Sequence, residues 1–177
     1  GRAGRQASRL GANWSMSPAD LVEVEVGTRF CSRATNWTKI DFSELVADLT
    51  RCAVKIPAGE YQSSGRYPIV DQGNTDVAGY SDREAGVFAN PLPVIVFGDH
   101  TRRFKFIDCP FFLGADGAKL LAPKSDQTTT KFLYFALQNV EIPNHGYSRH
   151  FKFLKEAKLP LPPLDEQRRI VEVLERA

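Results

Sequence analysis

Three prolines, Pro160, Pro162 and Pro163, stand within four residues of one another in KLPLPPLDEQRRIVEVLERA, the stretch that closes the chain. Each proline locks φ at about −65° and removes a backbone donor, and a residue before a proline avoids the helical region. The segment around them is therefore held extended. A helix follows at once. Asp165 and Glu166 suit the positive end of a helix dipole, and Ile170, Val171 and Leu174 recur at i, i+1 and i+4, which makes one apolar stripe. Whatever precedes it, the chain leaves its body by an extended step and then begins an amphipathic helix.

Upstream, the pattern is one of short pieces. DFSELVADL predicts a short helix, with Asp41 as cap, Glu44 reaching back, and Phe42, Leu45, Val46 and Leu49 on one face. AVKIP and RYPIV read as short strands, with Gly59, Ser63, Ser64 and Gly65 as turn residues between them. DQGNTDVAGYSD reads as a loop. PVIVF is a continuous apolar run suited to a strand buried on both faces; GDHTRR is its turn and FKFID its return strand. PFFLG and KLLAP add short apolar pieces on either side of ADGA. TTTKFLYFALQNV is the clearest mid-chain helix, capped by Thr129 or Thr130, with Phe132, Phe135 and Ala136 on one face and Leu133 and Leu137 adjoining. IPNHGY reads as a turn, and RHFKFLK alternates like a strand. Residues 17–36 support two readings: SPAD opens like a helix, yet Val22, Val24 and Val26 alternate with Glu23 and Glu25. Short strands with interspersed helices, lacking a regular β-α-β alternation, predict an α+β fold with a mixed or antiparallel β core and short flanking helices.

Composition excludes more than it assigns. A chain of 177 residues, 42% hydrophobic and 25% charged, suits one soluble domain with an appendage. No apolar run approaches the roughly 18 residues that span a bilayer, so no membrane partner is expected. Cys31, Cys52 and Cys109 are odd in number and form no C-x-x-C, which argues against a disulfide framework or thiolate zinc site and for a reducing, cytoplasmic compartment. GRAGRQASRLGANWS lacks the apolar core of a secretory signal and reads as a leader or disordered arm. No phosphate-cradling glycine loop and no nucleophile elbow occur. His100, His145 and His150 do not stand in metal-ligand spacing. NPLP at 90–93 lacks the aromatic that would stack the target base of a methyltransferase, and EAK at 156–158, half of a nuclease pattern, reads as a solvated ion pair. The expectation is a chain with no catalytic residues, no metal and no cofactor.

What remains is cationic and aromatic. HTRRFKF sets His100, Arg102, Arg103 and Lys105 around Phe104 and Phe106; if the two rings face the core, Arg103 and Lys105 point away from it by the period of two. HGYSRHFKFLKEAK carries Arg149, Lys152, Lys155 and Lys158 against one acid, Glu156. Such groups neutralise phosphates, while Asn and Gln amides, here Gln72 and Asn74, match adenine edges. The expected duplex-DNA contacts are Arg102, Arg103, Lys105, Arg149 and Lys152, with His100, Thr101, Gln72, Asn74 and Tyr147 as base or phosphate contacts. The two elements presenting them are the hairpin FGDHTRRFKF and the segment NHGYSRHFK.

From about Trp37 to Ala177 the chain resembles the target-recognition domain of type I restriction–modification specificity subunits. The residues that carry the resemblance are GRYPIV, VIVFGDHTRRFKFID, PFFLGADGAKLL, KFLYFAL, YSRHFKFLK and LPLPPLDEQRRIVEVL, in order and spacing; PLPPLDEQRRIV is the most specific of them. The resemblance implies a non-catalytic module that reads one half of a bipartite duplex-DNA target. Methylation and restriction subunits would be its partners, and those subunits would supply S-adenosylmethionine and ATP chemistry. It also implies that the last helix begins the spacer between two half-sites. The expected organisation is an N-terminal extension over 1–36, a recognition domain over 37–163 and the start of the spacer helix over 164–177. One recognition domain with a short helix is either part of a longer subunit or a half-sized subunit, and self-association through the C-terminal helix is one use of that helix. The competing reading is a protein-interaction module that acts through the same helix without reading DNA.

Overall fold

A computed structural model describes residues 37–115, 117–143, 146 and 149–176. The sequence readings for residues 1–36, and for Tyr147, lie outside the described residues.

The described residues form an α+β fold of three sheets. The central sheet is antiparallel, in the order β2 (Val46–Asp48), β9 (Ala118–Pro123), β6 (Val94–Gly98) and β7 (Phe104–Ile107). A mixed sheet runs β3 (Lys55–Ile56), β8 (Phe112–Gly114), β4 (Tyr67–Val70) and β5 (Gly79–Ser81), with β8 parallel to both its neighbours. A two-stranded ribbon pairs β1 (Thr38–Asp41) with β10 (Lys158–Leu161). The helices are α1 (Phe42–Leu45), α2 (Thr130–Gln138), α3 (Phe151–Lys155) and α4 (Leu164–Arg176).

β6 is buried along its whole length, as its unbroken apolar run predicts. Successive side chains point to opposite faces. Ile95 and Phe97 therefore enter one core with Phe42, Leu45, Leu133, Leu137, Phe151 and Leu154, while Val94 and Val96 enter another with Val70, Phe111, Leu113 and Leu120. In α2, Thr129 caps by accepting from the Phe132 backbone N–H at 3.2 Å. The buried face of α2 is Phe132, Leu133 and Leu137, with Phe135 and Ala136 only half-buried, so the apolar stripe is rotated from the predicted one.

Three local predictions fail. Gly79–Ser81, read as part of a loop, is β5 and pairs with β4. The helix expected over DFSELVADL stops at Leu45, because Val46 turns extended (φ −116°, ψ 128°) and pairs with Pro123. Asp41 makes no side-chain cap; its carboxylate holds Lys158 at 2.8 Å across the ribbon, and this partner raises the lysine's pKa. RHFKFLK, read as alternating, is largely helical in α3: its first turn is anchored from outside by Asp99, and Phe151 and Leu154 are buried at i, i+3. Cys52 and Cys109 are free and exposed.

The proline step is not a free tether. It is β10, and its register places Leu161 opposite Thr38. Just beyond it, α4 is seated by one side chain. Gln167 is fully buried; its Oε1 accepts from the Thr129 N–H at 3.0 Å and the Thr128 hydroxyl at 3.2 Å, and its Nε2 donates to the carbonyls of Gln127 and Pro162, both at 2.9 Å. Lys131 of α2 pairs with Glu175 of α4 at 3.0 Å. The stripe of Ile170, Val171 and Leu174 is half-buried. Among the described residues no helix is long and apolar enough to cross a membrane.

Candidate nucleic-acid interface

Three segments far apart in the chain meet at one end of the central sheet: the loop 71–78, the β6–β7 turn 98–103 and the stretch 149–155. Buried hydrogen bonds make the junction. Asp99 is 2% exposed, and its carboxylate accepts from the Phe151 N–H at 2.7 Å. Its carbonyl accepts from the His150 N–H at 3.0 Å and lies 2.9 Å from His150 Nδ1. Thr101 Oγ1 donates to the Gln72 carbonyl at 2.6 Å, and the His100 N–H donates to Gln72 Oε1 at 3.3 Å. Arg102 Nη1 donates to the Ile142 carbonyl at 3.3 Å, at an open groove that Arg103, Phe104 and Gln138 also line.

Close approach at this junction needs missing side chains. A Cβ on Gly98 would meet the Thr101 hydroxyl and stand 3.0 Å from the Gln72 carbonyl oxygen, and one on Gly117 would run into the Gln72 amide. The turn itself is strained at one place. Arg102 has φ +60°, the one positive φ outside glycine among the described residues. Left-handed backbone costs a residue with a Cβ about 1 kcal/mol. Of the two substitutions Arg102→Gly and Arg102→Ala, the glycine variant is therefore expected to be the more stable by about 1 kcal/mol in urea unfolding, although both lose the guanidinium.

The predicted contact residues divide into two groups. Arg103, Arg149, Lys152 and Asn74 are exposed, and Arg102 is half-buried with its guanidinium at the groove. Lys105, Gln72 and Thr101 are built into the fold instead. Lys105 does point away from Phe104 and Phe106, but onto the underside of the loop 71–78 rather than into water. It is 5% exposed, and its ammonium donates to the carbonyls of Thr75 at 2.6 Å and Asp71 at 2.8 Å, with the Asp71 carboxylate at 3.8 Å. Burial pushes the Lys105 pKa below its ordinary value, against the pull of Asp71 and Asp76. As an exposed electropositive contact, Lys105 is thus corrected. Gln72 and Thr101 hold each other across the junction, and the His100 backbone joins them.

Lys119 is a cation that the sequence reading missed. It lies opposite Phe97 in the β6–β9 register, which carries it to the α3 end of the sheet. Its Nζ stands 5.2 Å from the Phe151 ring centroid, that of Lys155 stands 4.8 Å from the same ring, and that of Lys152 stands 4.7 Å from Phe153. Only strand register places Lys119 there, so no local pattern of residues could have found it. The nuclease half-motif does not assemble: Lys158 pairs with Asp41, Glu156 is exposed, and among the described residues no three metal-ligating side chains cluster.

Residues 36–177 match the family model described as the type I restriction modification DNA specificity domain. The chain belongs to this family. The specificity domain is 26% identical over 133 residues to the EcoR124I/EcoR124II specificity subunit of Escherichia coli, an alignment covering 68% of this chain and 33% of that protein. Its fold is similar to that of the type I S subunit from M. genitalium, with a TM-score of 0.62, 17% identity, and coverage of 80% of this chain and 39% of that one. It is also similar to the HsdS subunit from Thermoanaerobacter tengcongensis, with a TM-score of 0.52, 20% identity, and coverage of 88% and 40%. The specificity domain thus spans about a third of the E. coli relative.

Proposed function

We propose that residues 37–163 read one half of a bipartite duplex-DNA sequence, as the non-catalytic specificity component of a type I restriction–modification assembly. Methylation and restriction subunits are its partners, and α4 is the beginning of the spacer that carries the second half-site's reader. The observation that carries the DNA-reading part is the convergence just described: Arg102, Arg103, Arg149 and Lys152 stand on the segments that Asp99 and Gln72 tie into one end of the sheet. Arginine and lysine on a rigid edge neutralise backbone phosphates and fix register on the duplex, while the exposed Asn74 amide on the adjoining loop is placed to meet a base edge. The direction of α4 is set by Gln167, which suits a helix that must hold a distance.

The Arg102→Ala, Arg103→Ala double variant tests the surface. Its affinity for duplex is expected to fall about 10- to 100-fold near 0.1 M salt, and the slope of log K against log salt to flatten by about 2, one for each phosphate contact removed. Fluorescence anisotropy across a salt series checks both. Unchanged affinity with an unchanged slope would place the DNA elsewhere.

A further inference from the structure

We infer that the loop 71–78 is the base-reading element of this domain, that Asn74 is its specificity-determining residue, and that Lys105 is a positioning residue that holds the loop from beneath. The inference rests on the DNA-reading function proposed above and says which part of the surface does the reading.

The loop sequence DQGNTDVA contains no cation and two acids. Alone it would be repelled by phosphates, so backbone binding is not its chemistry. Its exposed groups are an amide on Asn74, a hydroxyl on Thr75, a carboxylate on Asp76 and an apolar side chain on Val77, which is 37% exposed. These are the groups that meet base edges: an amide takes adenine bidentately through N6 and N7, a carboxylate accepts from cytosine N4, and an apolar group meets the thymine methyl. Phosphate-binding cations stand on the joined turn, where Thr101 and His100 hold Gln72. The division of labour is spatial: cations on the turn, readers on the loop.

The inner side of the same loop is fixed. The Lys105 ammonium binds the carbonyls of Asp71 and Thr75, one on each side of Asn74, and the Asp71 carboxylate closes a local turn by accepting from the Gly73 N–H at 2.7 Å. Gly114 lets Asp71 lie against β8; a Cβ there would collide with the Asp71 Cβ and the Tyr61 hydroxyl. A loop of small polar residues would otherwise sample many backbone states, and a reader must not, since misplaced amides lose their bidentate geometry. Burying an ammonium is costly even when it is hydrogen-bonded, and here two carbonyls and a carboxylate of the one loop offset that cost. The desolvated charge at Lys105 therefore couples the order of the loop to the sheet beneath it.

The test uses the 177-residue chain and a randomised duplex library, sequenced after selection, with thermal unfolding of each variant. The wild type is expected to enrich one half-site containing an adenine. Asn74→Ala should lose preference at that one position by about tenfold, while binding to non-selected duplex stays within about twofold. Lys105→Met should flatten preference at several adjacent positions and lower the thermal midpoint by a few degrees, because the Asp71 and Thr75 carbonyls lose their donor. If Asn74→Ala enriches the wild-type motif unchanged, the assignment of the reader is overturned; this variant is exposed and keeps the test decisive even where Lys105→Met unfolds. A fall in midpoint with the motif intact in Lys105→Met overturns the positioning role. A wild-type chain that enriches no sequence overturns the DNA-reading function itself, and this inference with it.

Discussion

Replacing Gln167 with alanine is expected to lower the free energy of unfolding by about 3 kcal/mol, a fall of roughly 10 °C in thermal midpoint for a domain of this size. The side chain is fully buried, and both ends of its amide are engaged. Truncation leaves the Thr129 N–H and the carbonyls of Gln127 and Pro162 without that partner. A buried polar group deprived of its partner costs about 1–3 kcal/mol, and some of these will recover water. Gln167→Glu keeps the shape, loses both donors and sets a carboxylate oxygen against the Gln127 and Pro162 carbonyls, so it should be at least as damaging. The neighbouring Arg168→Ala is the control. Among the described residues Arg168 makes one ion pair, the exposed i,i+3 pair with Asp165, which is worth less than about 0.5 kcal/mol. Urea unfolding monitored by circular dichroism separates the three. A Gln167→Ala variant within about 1 kcal/mol of wild type would mean that the half-buried stripe and the Lys131–Glu175 pair seat α4 without it.

Phe97→Ala is expected to cost about 4 kcal/mol, the usual range for emptying a buried aromatic site. Phe97 is wholly buried, with its ring centroid 4.8 Å from that of Phe104 and 6.1 Å from that of Phe151. It packs the β6–β7 hairpin against α3 together with Ile95 and Phe104, and it directly precedes the Gly98–Arg103 turn. The deletion should therefore loosen the two cationic segments relative to each other as well as lower stability. Hydrogen exchange is expected to rise first at the Phe151 N–H bound to Asp99. A variant that loses stability while that amide stays protected would show that Asp99 alone makes the junction.

What was readable from the residues follows the range of the interactions involved. β6, β7 and α2 are determined by near neighbours: an unbroken apolar run, a turn with Gly98 and Asp99, a threonine cap three residues before Phe132. The predicted α+β class holds for the same reason. Failures begin where a distant partner decides. Val46 leaves the helix because β9 offers a pairing edge, and RHFKFLK becomes α3 because Asp99, 52 residues earlier, takes its first N–H. In the site, the alternation of FKF gave the right direction for Lys105 and the wrong surroundings, since nothing local shows that a loop covers that side of β7. Gln72 was read as a free amide for the same reason. Gln167 was visible only as one letter of a family motif; its four partners come from two separate stretches, and no spacing rule connects them.

The β1–β10 ribbon has a mechanical corollary. Thr38 and Leu161 face each other at the same end of the ribbon. Tension drawing those two points apart would open its hydrogen bonds singly, as a zipper, rather than shear them together, and so would meet little resistance. A pull arriving along α4 reaches Gln167 before it reaches the ribbon. That buried amide thus acts as a strain relief, keeping load on α4 from peeling the domain open at its seam.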